Sequence, residues 1–269
     1  MLLVLNVNNT NTVIAVYTLA ADGLTGDLRA TWRISTRQGQ TADEYGILVR
    51  SLLSSENVDS TAIRGIIIAS VVPPVDWILR QFCGRYFNQK PLFIEPGVKT
   101  GLPILTDNPG EVGADRVANC VGAFQEYGGP CIVVDFGTAT KFEVISERGE
   151  YLGGAIAPGL GLSADALFSR AARLSRVDIK RPAKVIGTNT TGHLQSGLYY
   201  GYIGLVDGIL ERIFEELGMK PRVIATGGLA RMVAADSRHI AEIDDMLTLD
   251  GLRILFERNR AARPRSRAH

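Results

Sequence analysis

The sequence predicts a layered α/β protein made of two related halves. Two observations carry this. Strand-like apolar runs alternate with helical patterns along the 269 residues, the arrangement that packs helices onto a sheet. The opening stretch also has an echo. "LVLNVNNTNTVIAVY" (3–17) and "CIVVDFGTATKFEVI" (131–145) overlie at a shift of 129, matching Asn6 with Asp135, Asn8 with Gly137, Asn9 with Thr138 and Asn11 with Thr140. Each reads as an apolar strand, an acid or amide, a small polar turn and a second apolar strand. Two copies rather than many imply two α/β halves.

The elements follow in order. The first hairpin places six polar residues, Asn6, Asn8, Asn9, Thr10, Asn11 and Thr12, about its tip. A tight hairpin needs about two, so the excess points to a loop that holds a ligand. "TWRIST" (31–36) reads as a strand and "TADEYGILVRSLLSS" (41–55) as a helix, opened by the capping-box pattern Thr41-x-x-Glu44. "IRGIIIASVVPP" (63–74) is a buried strand ending in a proline turn, followed by a helix over 75–87. "ADRVANCVGAFQEY" is a further helix. "YGGP" at 127–130 then breaks the pattern and marks a domain boundary. In the second half, residues 196–218 have helical periodicity with Gly218 as the stop, and "RVIATGGLA" (222–230) is a strand running into a double-glycine turn. The expected domains are 1–128 and 129–257, followed by a basic, disordered tail over 258–269.

Composition narrows the class. Hydrophobic residues make up 46% and charged ones 21%, as in a globular chain. No apolar run approaches the roughly 20 residues of a membrane span, and the N-terminus lacks signal-peptide character. A cytoplasmic protein is expected. The cysteines, Cys83, Cys120 and Cys131, form no CxxC pair and read as reduced, partly buried thiols. The histidines have no metal-ligand spacing. The tail holds five Arg and no acid, and without it 24 basic residues face 28 acidic ones, a net of −4. The body has neither a basic stripe nor an aromatic RNA-binding motif, so nucleic acid is an unlikely partner.

The polar turns suit phosphate. No GxxxxGK[ST] and no GxGxxG after a strand is present, which disfavours P-loop and dinucleotide folds. Instead, backbone N–H groups and Thr/Asn side chains of two hairpin turns can face phosphate oxygens. The glycines of "ATGGLA" allow close approach to a ring or ribose. Together these elements resemble the acetate and sugar kinase/Hsp70/actin superfamily. That resemblance implies two duplicated ribonuclease-H-like domains with ATP bound in the cleft between them.

Four further stretches narrow the resemblance: "EPGVKTGLPILTDNPGEVGADR" (95–116), "DFGTAT" (135–140), "LGGAIAPG" (152–159) and "VIGTNTTGHLQSGLYYG" (185–201). In order and spacing they resemble type III pantothenate kinases, up to about residue 258. The resemblance implies phosphorylation of pantothenate by ATP, the first step of coenzyme A synthesis, in a homodimer needing Mg2+ and a monovalent cation, K+ or NH4+. It makes Asp115 of "GADR" the general base, with Gly113, Ala114 and Arg116 lining the pantothenate pocket. It gives Asp135 the monovalent cation, Thr138 an ATP phosphate, and Asn6, Val7, Asn8, Asn9, Thr10, Asn11, Thr12 and Val13 the phosphate cradle. Thr190 would reach pantothenate in the partner's site. "LGGAIAPG" would shape the site, the glycines at 197, 201, 204 and 208 would permit close helix or subunit packing, and Lys99 and Lys141 receive no role.

The chemistry fits these residue types. A positioned carboxylate accepts the proton of a poorly nucleophilic hydroxyl, which suffices where proton transfer is late, as in phosphoryl transfer. Arg116 offers a fork suited to the pantothenate carboxylate. Three positions depart from the family's pattern. Asn6 stands where an Asp is usual, which predicts weaker Mg2+ binding. Asn8 replaces a glycine, and Asn tolerates left-handed backbone. Thr106 stands where many relatives place a substrate-contacting Tyr, which predicts a looser pocket. These departures leave an alternative, a catalytically weak nucleotide-binding homologue with a regulatory role. Intact Asp115, Arg116, Asp135 and Thr138 argue for the kinase.

Overall fold

The computed structural model describes residues 1–20, 25–170 and 176–260. β1 (Leu2–Val7) and β2 (Asn11–Leu19) form the opening hairpin, and β3 (Thr25–Ser35) continues antiparallel to β2. α1 (Ala42–Ser55) starts on the expected capping box: Glu44 N donates to Thr41 Oγ1 at 3.2 Å and Thr41 N donates to Glu44 Oε2 at 2.7 Å. β4 (Gly65–Ser70) leads into α2 (Pro73–Phe87). The two prolines open this helix rather than form a separate turn. A first-turn proline gives up only an N–H that has no intrahelical partner. β5 (Leu92–Phe93) and α3 (Ala114–Tyr127) follow.

β6 (Cys131–Phe136), β7 (Ala139–Ile145) and β8 (Tyr151–Pro158) form a second antiparallel run. After α4 (Leu160–Arg170) comes α5 (Thr190–Leu217), which starts six residues earlier than its periodicity predicts. Asn189 explains the early start: its side chain accepts from Gly192 N at 2.8 Å and caps the helix. Gly218, at φ 66°, ends α5 as expected. β9 (Arg222–Thr226), α6 (Ala230–Ala234), β10 (Glu242–Ile243) and α7 (Leu247–Arg260) complete the chain.

The strands make two five-stranded sheets, ordered β3-β2-β1-β4-β5 and β8-β7-β6-β9-β10. In each, a meander of three strands abuts a parallel pair, β1 with β4 and β6 with β9. The duplication expected from the sequence echo is therefore a duplication of topology. The register corrects that echo in one respect. Asn6 pairs with Val13 and Val7 with Thr12, while Asp135 pairs with Lys141 and Phe136 with Thr140. The first tip holds Asn8, Asn9 and Thr10; the second holds only Gly137 and Thr138. The shift of 129 thus holds up to the tip and drops by one beyond it, so Thr140 matches Thr12 and not Asn11.

The chain divides into two compact units, Tyr127–Asp245 and the residues on either side of it. In the first unit β1 is buried along its whole length. Leu3, Leu5 and Val7 pack with Tyr45, Val49 and Leu53 of α1 and Leu79 and Phe82 of α2. Leu2 and Val4 point to the other face and are equally buried. A strand covered on both faces reads as a continuous apolar run. The second face receives α7: Gly65 of β4 lies against the Phe256 ring, leaving no room for a Cβ. α7 in turn crosses α3 backbone to backbone. A Cβ on Gly122 would sit 2.7 Å from Leu247 O, and one on Gly251 would fall onto Ala118 O. Residues 258–260, expected in the tail, form the last turn of α7; Arg258 donates to Gln125 Oε1 at 3.1 Å and to Thr100 O. The rest of the tail lies outside the described residues.

In the second unit, Ile132, Val134 and Phe136 of β6 pack against Tyr199, Tyr202, Val206 and Leu210 of α5. Cys83, Cys120 and Cys131 are buried thiols, none of them in a disulfide. Burial pushes the Cys83 and Cys131 thiols up to about 12. Among the described residues no helix is long and apolar enough to cross a membrane.

Two outcomes are expected. Gly251→Ala should destabilise the protein by about 1–3 kcal/mol, the usual range for overpacking, seen as a lower midpoint in chemical denaturation; an unchanged midpoint would contradict the helix crossing. Cys83 and Cys131 should resist iodoacetamide at pH 8 in the native protein and react once it is unfolded, as read by mass spectrometry.

Candidate active site

In the first unit the predicted residues gather at one edge of the sheet, the carboxyl end of the β1/β4 pair. Open α/β sheets bind ligands at such edges. The hairpin tip closes through Asn8 N, which donates to Asn11 O at 3.1 Å. Asn9 and Thr10 are exposed at the tip, whereas Val7 and Thr12 are buried in the strands. Thr12 Oγ1 bonds Thr36 Oγ1 at 2.8 Å, so its hydroxyl serves the sheet. Asn11 and Val13 are half-buried. The tip is therefore shorter than the run of polar residues suggests. Asn8 does not use left-handed backbone: among the described residues only Asn57 and Asn88 do so without being glycine. The loss of glycine at position 8 carries no strain.

Asn6 is the unusual member. It is the penultimate residue of the buried strand, 8% exposed, and its Oδ1 is buried with no hydrogen-bond partner among the described residues. An orphaned amide oxygen costs about 1–3 kcal/mol and is a free oxygen ligand. A hard cation takes such oxygens, so the position fits a role in holding Mg2+, with one negative charge fewer than a carboxylate would give.

The "GADR" motif meets the same edge. Val71 N, just past β4, donates to Val7 O at 3.0 Å. A Cβ on Gly113 would lie 3.6 Å from Val71 Cγ1 and 2.9 Å from Asp115 Oδ1, so glycine lets the loop close here. Asp115 sits in the first turn of α3, 3% exposed, and its Oδ1 accepts from Arg116 N at 2.8 Å. Ala114 is buried, and Gly113 and Arg116 are half-buried. Thr106, on the preceding loop, has a buried Oγ1 with no partner among the described residues, as suits a polar ligand contact.

The second unit repeats the arrangement at the carboxyl end of β6/β9. Thr138 is exposed at the tip, and Gly137 N donates to Ala139 O at 3.1 Å. Asp135 lies between Lys141 and Thr226 in register. Its Oδ2 is 3.0 Å from Lys141 Nζ, with each side chain 15% exposed. Three further groups shape this turn. Gly159 N donates to Thr138 O at 3.1 Å, and a Cβ there would lie 2.6 Å from Gly137 O. Gly227, at φ +92°, packs on Asp135 and Phe136 so closely that a Cβ would be 2.9 Å from Asp135 Oδ1. The Thr140 and Tyr202 hydroxyls bond each other in the buried layer behind; burial pushes the Tyr202 phenol up and keeps it protonated. Thr190 is the exposed first residue of α5. Sequence reasoning misses Lys141 as a site residue, whereas Gly159 and Gly227 fall in "LGGAIAPG" and "ATGGLA", the two glycine stretches it singles out. A pairing of Phe136 with Thr140 across the turn would have signalled the Asp135–Lys141 pair one step further in, since cross-strand neighbours share a face.

The sequence model of the type III pantothenate kinase family matches residues 2–212. A type III pantothenate kinase of Acidobacterium capsulatum is 69% identical over 266 residues, covering 99% of this chain and 98% of that protein. One from Koribacter versatilis is 61% identical over 273 residues, covering 100% and 99%. Among solved structures, a conserved putative Baf family transcriptional activator from Campylobacter jejuni aligns with a TM-score of 0.58 at 18% identity, over 96% of this chain and 99% of its own. A putative 2-dehydro-3-deoxygalactonokinase from Sinorhizobium meliloti aligns with 0.57 at 14%, over 100% and 99%. These two bear on the fold alone, which they share. A family match over most of the chain, with relatives this similar along all of it, places the protein: the chain belongs to the type III pantothenate kinase family.

Proposed function

We propose that this chain transfers the γ-phosphoryl group of ATP to the primary hydroxyl of pantothenate, the first step of coenzyme A synthesis. The observation that carries the reading is Asp115, a carboxylate 3% exposed in the first turn of α3 within an intact "GADR". Asp115 takes the hydroxyl proton as the substrate oxygen bonds to phosphorus and the bond to the β-phosphate oxygen breaks, leaving ADP. Arg116 faces the pantothenate carboxylate as a charged fork, and Gly113, Ala114 and Thr106 line the same pocket. In the first unit the hairpin from Asn6 to Val13, and in the second the turn at Thr138, each offer N–H groups and hydroxyls suited to ATP phosphate.

Asn6 Oδ1 is the group that would face Mg2+. When bound, that ion neutralises phosphate charge and aligns the nucleotide. The family resemblance also brings K+ or NH4+ to Asp135. That carboxylate already holds Lys141 Nζ at 3.0 Å, a donor set that does not suit a further cation, and the phosphoryl transfer needs no step through one. A homodimer, with Thr190 reaching the partner's pantothenate, is supported by the exposed edge of α5. A Cβ at Gly197, Gly201 or Gly204 would meet nothing within 4 Å, leaving room for close approach of a second helix. Three buried cysteines kept as thiols support a cytoplasmic location.

The test is ATP-dependent phosphorylation of pantothenate by the purified protein. Asp115→Asn should lower kcat by about 10²–10⁴ while nucleotide still binds. Arg116→Gln should raise the pantothenate KM by about tenfold or more, the loss of a charged hydrogen bond, with kcat less affected; an unchanged KM would remove the carboxylate assignment. No activity in the wild type at saturating Mg2+ would overturn the kinase reading. Asn6→Asp should lower the Mg2+ concentration needed for half-maximal rate, because the added charge strengthens a hard-cation site.

A further inference from the structure

We propose that the Lys141 ammonium is a built-in replacement for an exchangeable monovalent cation, so that this chain needs neither K+ nor NH4+. The proposal deepens the kinase reading above and rests on it for the role of the second hairpin turn.

The first support is position. Lys141 Nζ lies 3.0 Å from Asp135 Oδ2, the carboxylate that the family resemblance gives to the cation, and each side chain is 15% exposed. The second is register. β6 and β7 pair Asp135 directly with Lys141, one step in from the Phe136–Thr140 pair that flanks the turn, and a one-residue slip would turn one of them to the opposite face. The ammonium is thus fixed where a dissolved ion would come and go. The third is chemistry. Lysine presents a compact, strongly hydrated point charge with three donors and no acceptor, the same functional group as NH4+ on a tether. A second cation on this carboxylate would meet a like charge at close range in a poorly solvated place. The turn that carries Thr138 lies between the paired residues, so the fixed charge sits at the base of the proposed phosphate contact. The corresponding pair in the first hairpin, Asn6 with Val13, is uncharged, so the ammonium belongs to the second turn alone.

The experiment compares the full-length protein in choline chloride with the same buffer in which KCl or NH4Cl replaces choline at constant ionic strength. ATP affinity with Mg2+ is read by calorimetry, and pantothenate phosphorylation is read in parallel. The wild type should change by less than about twofold in either. Lys141→Thr, which removes the tethered ammonium and opens its place, should bind ATP more weakly in choline and regain about tenfold in K+ or NH4+. Lys141→Met keeps the stem without the charge; it should bind ATP more weakly in choline and serves if the threonine variant does not fold. A wild type whose ATP affinity rises tenfold with K+, or a Lys141 variant as tight as the wild type in choline, would overturn the proposal. ATP binding that ignores K+ in the wild type, without pantothenate phosphorylation, would instead count against the kinase reading and leave the cation inference standing.

Discussion

Each sheet is organised by a central strand that pairs parallel on one side and antiparallel on the other, β1 in the first unit and β6 in the second. The parallel bonds force a crossover, which here places α1 or α5 on the sheet face. The antiparallel bonds force a tight turn at the carboxyl end. Every residue of β1 is buried, so its turn cannot shift without exposing apolar surface on both faces. The polar residues at that edge inherit their positions from the apolar ones behind them.

Glycines do the local shaping where backbone must meet backbone. Gly159 and Gly227 let two other segments close on the Gly137–Thr138 turn and on Asp135. Gly113 does the same for Asp115, and Gly122 and Gly251 let α3 and α7 cross without intervening side chains. The catalytic candidate is thereby tied to the core. Asp115 lies in the first turn of the helix whose middle is gripped by α7, itself anchored on Gly65 through Phe256.

The two hairpins share a topology and differ in electrostatics. Asn6, next to last in its strand, is a neutral amide whose buried oxygen has no partner among the described residues, opposite an apolar Val13. Asp135, next to last in its strand, is a carboxylate opposite Lys141. The first therefore offers an oxygen to a cation, and the second holds a cation of its own. The same scaffold occurs twice, and the residues at matched positions, Asn6 with Val13 and Asp135 with Lys141, give the two copies different charge.

The sequence by itself determined the α/β class, the duplication, the capped start of α1 and the glycine stop of α5, and it supplied the candidate site residues, because each depends on local pattern or on a motif read in order. It also showed Asn6 and Thr106 as departures. Only the tertiary structure decided the return of α7 to the first sheet, the tip lengths and the Asp135–Lys141 pair. A helix carries no local mark of which sheet it will cover, since that depends on matching surfaces far apart in sequence. The hairpin echo likewise could not reveal its one-residue slip: an insertion among Asn and Thr leaves the alternation of strand and turn unchanged, and only the hydrogen-bond register shows which side chain faces the carboxylate.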